Sequence, residues 1–248
     1  MPEKYLNVPG SYYSELRSKG HPAQRFFYET REAYLLEFAR LKKSDIVADV
    51  GCGSGIVSEK ISPHVKKVIG VDLSAGSISF AQKRAKKLKL KNISYKTGRA
   101  EKIPLPNNSI DVCILSHVIE HSKQPHKALQ EAKRVLRKGG KLIIATPNYH
   151  SMWPLAEFLF DKTLAKQKIA GKNYSLEEQH VSRFSHAGIR KMVSEEGFRV
   201  EGEKTLYFLS LPLALLHEGL GRKVFHGIDA KLSRLPIGMI SYVRAVKE

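Results

Sequence analysis

The sequence predicts a doubly wound α/β domain on a mostly parallel sheet, and three observations carry that reading. Short apolar runs rich in Val and Ile alternate with helical periodicities from Ile46 to Thr146, which is the pattern of repeated βαβ units. A glycine-rich turn, Gly51-Cys52-Gly53-Ser54-Gly55, follows the first of those runs directly. The 248 residues suffice for one such domain with insertions, and no repeat or low-complexity tract points elsewhere.

Taken in order, Tyr34, Leu35, Phe38, Ala39 and Leu41 recur at helical spacing between Tyr28 and Leu41. Residues 1–41 are therefore read as an N-terminal helical extension and 42–248 as the main domain. Ile46–Val50 is the first buried strand, and a short helix with Ile56, Val57, Lys60 and Ile61 follows the turn and ends by Pro63. Lys67–Val71 is the second strand. Ser74 caps a helix that runs towards Leu90, and Ile93–Thr97 is the third strand. The turn residues Pro106, Asn107 and Asn108 introduce a fourth, Ile110–Leu115. Ala128, Leu129, Ala132, Val135 and Leu136 share a helix face that stops at Gly139-Gly140, before a fifth strand, Lys141–Thr146.

The rhythm then breaks. Asn148–Phe184, with Trp153, Leu155, Phe158, Leu159, Phe160 and Leu164, reads as an inserted helical segment over the sheet. Ser185 caps a helix with Ile189, Met192 and Val193 that ends at Gly197, and Phe198–Leu206 is a strand. Leu209–Leu235 is a second, mostly helical insertion, and Met239–Val246 the terminal strand. Insertions at about 148–184 and 207–236 on one end of a sheet suggest a lid.

Composition narrows the setting. Lys and Arg number 42 against 24 Asp and Glu, a formal charge of +18, which favours anionic partners without choosing among nucleic acid, phosphate-bearing molecules and acidic membranes. The densest basic stretch, Lys83 to Lys91, interleaves with Ala85, Leu88 and Leu90 and reads first as the solvated face of an amphipathic helix. Cys52 and Cys113 cannot staple a large secreted domain, the N-terminus lacks a signal-peptide pattern, and Leu206–Leu216 is too short to span a bilayer. A cytoplasmic protein is expected.

The chemistry starts at the glycine turn. Glycines there permit positive φ and let a ligand touch the backbone, while the next helix offers free N–H groups. The dinucleotide fingerprint needs glycine where Ile56 stands, and no Walker pattern is present. The second strand ends in Val71-Asp72-Leu73-Ser74, and an acid at that tip can accept hydrogen bonds from both hydroxyls of a ribose. A tight turn and a helix-start Asp would each have a structural explanation alone; together they read as a nucleoside site.

Val47 to Gly55 followed by Val68 to Ser74 resembles the first two motifs of class I S-adenosylmethionine-dependent methyltransferases. The likeness continues through Ala100 to Leu105, Ile110-Asp111-Val112, His117 to His121 and Arg134 to Leu142, and covers roughly residues 42–148. Within the family the chain most resembles the small-molecule group that includes quinone- and lipid-modifying enzymes. The resemblance implies a seven-stranded sheet with an antiparallel last strand. It also implies that Asp49, Gly51, Gly53 and Gly55 hold the methionine end of S-adenosylmethionine and Asp72 the ribose. Leu73 would pack on the adenine, with Arg99, Ala100 and Glu101 near its edge and Ser116 and His117 beside the sulfonium. Arg99 departs from the acidic residue frequent in the family, and a guanidinium cannot accept from the adenine amino group.

His117-Val118-Ile119-Glu120-His121 also matches the inverted zinc-peptidase pattern H-x-x-E-H. Zinc would need both histidines on one helix face and a distant third ligand, whereas His117 follows a strand directly, so no metal is expected. His180 is the preferred general base for an oxygen acceptor, set against a purely structural role in the lid. His121 would line the cleft, and Glu178 and Arg183 are weaker candidates for acceptor contact.

A small or lipid-like acceptor is expected from the apolar inserts, Met152–Phe160 and Leu206–Leu216. In that reading the positive charge assists approach to an anionic group or to the periphery of an anionic membrane. RNA is the alternative, disfavoured because Leu115-Ser116-His117 stands where base-amino methylases carry an Asn-Pro-Pro-Tyr type tetrad and because no RNA-binding motif is appended. A donor-binding regulatory protein without turnover is the third reading. Oligomeric state is not legible.

Overall fold

The computed structural model describes residues 9–164, 168–169, 172–173 and 180–248. Five apolar runs form parallel strands: β1 (Ile46–Val50), β2 (Lys67–Asp72), β3 (Ile93–Thr97), β4 (Ile110–Ser116) and β5 (Leu136–Pro147). Two more, β8 (Phe198–Leu206) and β9 (Ile240–Lys247), complete a seven-stranded sheet of order β3-β2-β1-β4-β5-β9-β8. Only β9 opposes its neighbours, pairing antiparallel with both β5 and β8. The strand order reverses at β1, between β2 and β4, so the turns leaving β1 and β4 open on one crevice where doubly wound sheets take ligands. The expected sheet is present.

Alternation along each strand divides the core. Val47, Val68, Val112, Ile114 and Ile143 face one layer, and Ala48, Val71, Cys113, Leu115, Leu142 and Ile144 the other. On the first face lie α1 (Tyr12–Lys19), α2 (Pro22–Ala39) and α8 (Ser210–Leu216), through Leu16, Phe26, Leu35 and Leu211. On the second lie α5 (Pro125–Val135) and α7 (His186–Glu195), through Ala128, Leu129, Ala132, Ile189 and Val193. Trimming a fully buried member such as Ile114 or Leu129 to Ala should cost about 2–5 kcal/mol.

Local chemistry explains where elements begin and end. α2 starts at Pro22 rather than near Tyr28, because His21 and Gln24 form a capping box, and it stops at Arg40 with φ 49°. α3 (Ile56–Ile61) is capped by Gly55, and α4 (Ala75–Lys87) by the Ser74 hydroxyl, which accepts from Ser77 N–H. α5 ends at Val135, before Gly139-Gly140: those glycines lie inside an irregular start of β5, where the pairing with β4 skips between Leu136 and Lys141. Along α4, Ile78, Ala81 and Ala85 are buried while Lys83, Lys86 and Lys87 are exposed, so this basic run is a solvated helix face.

The first insertion contains α6 (Trp153–Leu164) and the two-residue strands β6 (Lys168–Ile169) and β7 (Lys172–Asn173). The second contains α8, α9 (Glu218–Val224), a π-helical stretch (Phe225–Asp229) and α10 (Ala230–Leu232). Glu178 lies outside the described residues. Among the described residues, no helix is long and apolar enough to cross a membrane.

Candidate active site

The glycine turn is shaped by β2. Gly51 N–H and Cys52 N–H both donate to Val71 O, at 2.6 and 3.1 Å. Gly53 N–H donates to Asp72 Oδ2 at 2.8 Å, and Ser74 N–H to Asp72 Oδ1 at 2.8 Å. Gly51, Gly53 and Gly55 have φ of 77°, 50° and 83°, values that disfavour any side chain. A Cβ on Gly51 would stand 2.3 Å from Val118 Cγ2, while one on Gly55 would strike the Tyr95 hydroxyl and Ala81. Gly51 and Gly53 therefore face the crevice, and Gly55 is spent on helix packing.

Two cavities meet across Gly51 and Val118. The smaller is walled by Asp72, Leu73, Gly98, Arg99, Ala100, Glu101 and Ser122. Glu101 is held there by the Ser122 hydroxyl at 2.5 Å, with Arg99 Nε 3.7 Å away. The larger, about 140 Å³, begins at Asp49, Gly51 and Gly53 and runs past Ser116 and His117 to His121 and His180. Asp49 is buried and its carboxylate accepts from Ser58 Oγ at 2.6 Å; burial pushes its acid up to about 6. The expected residues thus fall into two groups, one around the smaller cavity and one along the larger, joined by one loop.

Other walls of the larger cavity were not legible in the motifs. Tyr13 and Arg17 of α1, Phe27, Tyr28 and Arg31 of α2, Trp153, Ala156 and Glu157 of α6, and Leu211 of α8 close it. The α6 and α8 walls fall in the apolar inserts Met152–Phe160 and Leu206–Leu216, while for α1 and α2 the sequence signal was spacing: Tyr13/Arg17 and Phe27/Arg31 are four apart and so share helix faces. α1 is fixed through Glu32 of α2, which pairs with Arg17 and, at 2.7 Å, with Lys60 of α3. Burial pushes the Glu32 carboxyl up, but the two cations outweigh it and hold it below the usual range.

The far end of the cavity is rich in imidazole. His117 leaves β4 with φ 56°, a left-handed conformation unusual for a side-chain-bearing residue, and its N–H donates to Ala145 O. Burial, with the Arg31 charge, drives its imidazole down to about 4, so it is neutral at pH 7. Its Nδ1 lies 3.1 Å from Glu120 Oε1. Burial pushes the fully enclosed Glu120 carboxyl up, yet the surrounding imidazoles outweigh it and keep the group ionised. His121 and His180 have ring centroids 5.0 Å apart. Ser182 brings them together, donating its N–H to Glu120 O and its hydroxyl to Ser122 O. Tyr149 OH lies 2.5 Å and Glu157 Oε1 3.2 Å from His180 Nδ1. Arg183, by contrast, stacks on Tyr149 and is not part of the cavity wall.

A glycine loop, a clasping acid on the next strand and a cavity at the switch point define a nucleoside-binding α/β protein. Residues 48–144 match a model described as a methyltransferase domain. A probable S-adenosylmethionine-dependent methyltransferase of Mycolicibacterium smegmatis is 24% identical over 73% of this chain and 63% of its own length. The ubiquinone biosynthesis O-methyltransferase of Coxiella burnetii is 32% identical over 43% of this chain and 45% of its own length. The chain thus spans about half to two thirds of these curated relatives. A Thermotoga maritima structure described as a SAM-dependent, possible histamine N-methyltransferase superposes with TM-score 0.65 at 20% identity, covering 99% of this chain and 97% of that one. Residues 48–144 thus carry a methyltransferase domain, and the chain is similar to S-adenosylmethionine-dependent methyltransferases.

The residues present fit that cofactor. Asp49 is a buried carboxylate whose raised pKa marks a site that a cationic amine would stabilise. Gly51 and Gly53 line the larger cavity with backbone alone, and Leu73 supplies an apolar wall next to Asp72.

Proposed function

We infer that this chain methylates a small acceptor with an apolar body and a nucleophilic hydroxyl, held in the larger cavity. The observation that carries the reading is the wall itself. Phe27, Tyr28, Trp153, Ala156 and Leu211 surround the path between the glycine loop and the His121–His180 pair, an apolar enclosure with a few convergent polar groups. The Coxiella relative, named for ubiquinone biosynthesis, supports an acceptor of this kind.

S-adenosylmethionine supplies an electrophilic methyl group when bound. The protein's part is to position and to exclude water. Asp49 and the Gly51 and Gly53 backbone would hold the methionine end, Asp72 the ribose, and Leu73 with Ala100 and Glu101 the adenine. Ser116 and His117 would flank the sulfonium. The acceptor hydroxyl would lie at His121 and His180, and His180, oriented through Nδ1 by Tyr149 and Glu157, would take its proton.

The test is transfer of label from methyl-labelled donor into fractionated cell extract over a salt series. Label in small or lipid-soluble molecules with little salt dependence is expected. Label in RNA with a steep log-linear loss on adding salt would replace this reading with a nucleic-acid substrate, and label in neither, despite donor binding, would favour a regulatory role.

A further inference from the structure

The H-x-x-E-H stretch was set aside as a metal motif because His117 does not share a helix with His121. The fold brings a different third partner. Glu120 and His121 lie in the 3₁₀ turn Ile119–His121 after β4, and His180 enters from the segment following the first insertion. One donor atom from each of Glu120, His121 and His180 lies within 4.8 Å of the others.

Four features distinguish this cluster from a chance meeting of polar groups. First, Glu120 is fully buried, and the nearest described group to its Oε1 is His117 Nδ1, 3.1 Å away and outside hydrogen-bond geometry; a buried carboxylate is costly unless something supplies positive charge to it. Second, the outer atoms are anchored. Glu120 Oε2 accepts from Thr146 Oγ1 at 3.1 Å, and His180 Nδ1 meets Tyr149 OH and Glu157. Metal-bound histidines are oriented in this way by partners on the opposite ring nitrogen. Third, the two segments are pinned by the bonds from Ser182 to Glu120 O and Ser122 O, so the grouping does not depend on side chains alone. Fourth, His121 and His180 line the larger cavity, so one side of the cluster faces the acceptor space.

We propose that Glu120, His121 and His180 form a binding site for one divalent transition-metal cation, with its remaining coordination positions open to the acceptor. Two imidazoles and a carboxylate, with no thiolate, suit Mn²⁺, Fe²⁺, Co²⁺ or Zn²⁺. Ligand bonds near 2.1 Å draw the three donors closer than they stand now. The proposal rests on the reading of the cavity as the acceptor site and deepens it: the acceptor class becomes a metal-chelating or metal-polarised hydroxyl compound. With the ion bound, His180 serves as a ligand in place of the base, and the coordinated hydroxyl loses its proton to water at neutral pH. The resulting oxygen forms its bond to the methyl carbon, the carbon–sulfur bond breaks with its electron pair retained by sulfur, and the neutral thioether product remains.

The experiment measures metal before activity. Full-length protein is stripped with chelator, dialysed, and titrated with Mn²⁺, Co²⁺ and Zn²⁺ by calorimetry, with donor affinity measured in parallel. One ion per chain is expected. Its affinity should fall at least tenfold in His180→Ala and in Glu120→Gln, and the Co²⁺-loaded protein should show a visible absorption band that His180→Ala abolishes. Circular dichroism of each variant reports folding, and the His180 variant remains informative if the buried Glu120 one does not fold. Absence of stoichiometric binding, or binding unchanged by both variants, overturns the metal site. Donor affinity intact in that case leaves the methyltransferase reading standing, whereas loss of donor binding in the wild type would sink that reading separately.

Discussion

The carboxylate of Asp72 accepts the N–H of Gly53 at 2.8 Å while its other oxygen takes Ser74 N–H. The acid expected to hold a ribose is thus also the clasp that sets the glycine loop. Asn at this position can offer only one oxygen, and its amide would face an N–H donor. Asp72→Asn should therefore weaken both S-adenosylmethionine and S-adenosylhomocysteine at least tenfold, since hydrogen bonds to a charged group contribute about 1.5–3 kcal/mol each. Thermal melting should drop as well. Calorimetry and a melting curve read the two effects, and an unchanged melting temperature would mean that the clasp carries no stability.

Gly51 faces Val118 with φ 77°. Gly51→Ala should lower the melting temperature by roughly 5–10 °C, as expected for a loss of about 2–3 kcal/mol in a chain of this size. Adding Val118→Ala removes the steric part but not the backbone strain, so the double variant should recover partly. Full recovery would show that φ at Gly51 is not constraining.

Asp49 yields a pH prediction with a definite sign. Its folded pKa, about 6, lies above the ordinary 3.8 because burial penalises the charged form. This group therefore lowers stability as pH rises from about 4 to 6 and contributes no further change above that. A donor ammonium favours the ionised carboxylate, so donor affinity should fall as pH drops through about 6, with protons released on binding near that pH. Asp49→Asn should raise the melting temperature of donor-free protein at pH 7 while weakening the donor and flattening its pH profile. A pH profile unchanged in Asp49→Asn would place the ammonium elsewhere.

The two faces of α6 should separate in function. Trp153, Ala156 and Glu157 line the cavity, whereas Met152, Leu155, Phe158 and Leu159 are exposed. Trp153→Ala should reduce turnover severalfold or more with any acceptor. A Phe158→Ser/Leu159→Ser pair should spare turnover with a soluble acceptor and lower it only with one presented in anionic vesicles. Equal losses in both assays would return the exposed face to the site.

The βαβ core was legible because its signals are local: buried runs, a glycine turn, and Ser74 and Ser185 as caps whose hydroxyls accept as expected. The wall of the smaller cavity was legible for the same reason, since Asp72, Leu73 and Arg99 to Glu101 follow strands two and three directly. Gly139-Gly140 misled because glycines that end helices also serve in irregular strands. The roof over Asp49 was hidden because Arg17 and Arg31 reach it through packing of α1 and α2, which no motif records. Glu120 and His180 are 60 positions apart, and tertiary contacts, the Ser182 hydrogen bonds among them, bring them together.

Titration of the wild-type protein with S-adenosylmethionine, with S-adenosylhomocysteine as competitor and Asp72→Ala as control, tests the central claim most directly. One donor per chain, displaced by the product and weakened at least tenfold in the variant, is the predicted result. Failure of folded wild-type protein to bind, or binding indifferent to Asp72, would contradict the assignment of this cleft to the methyl donor.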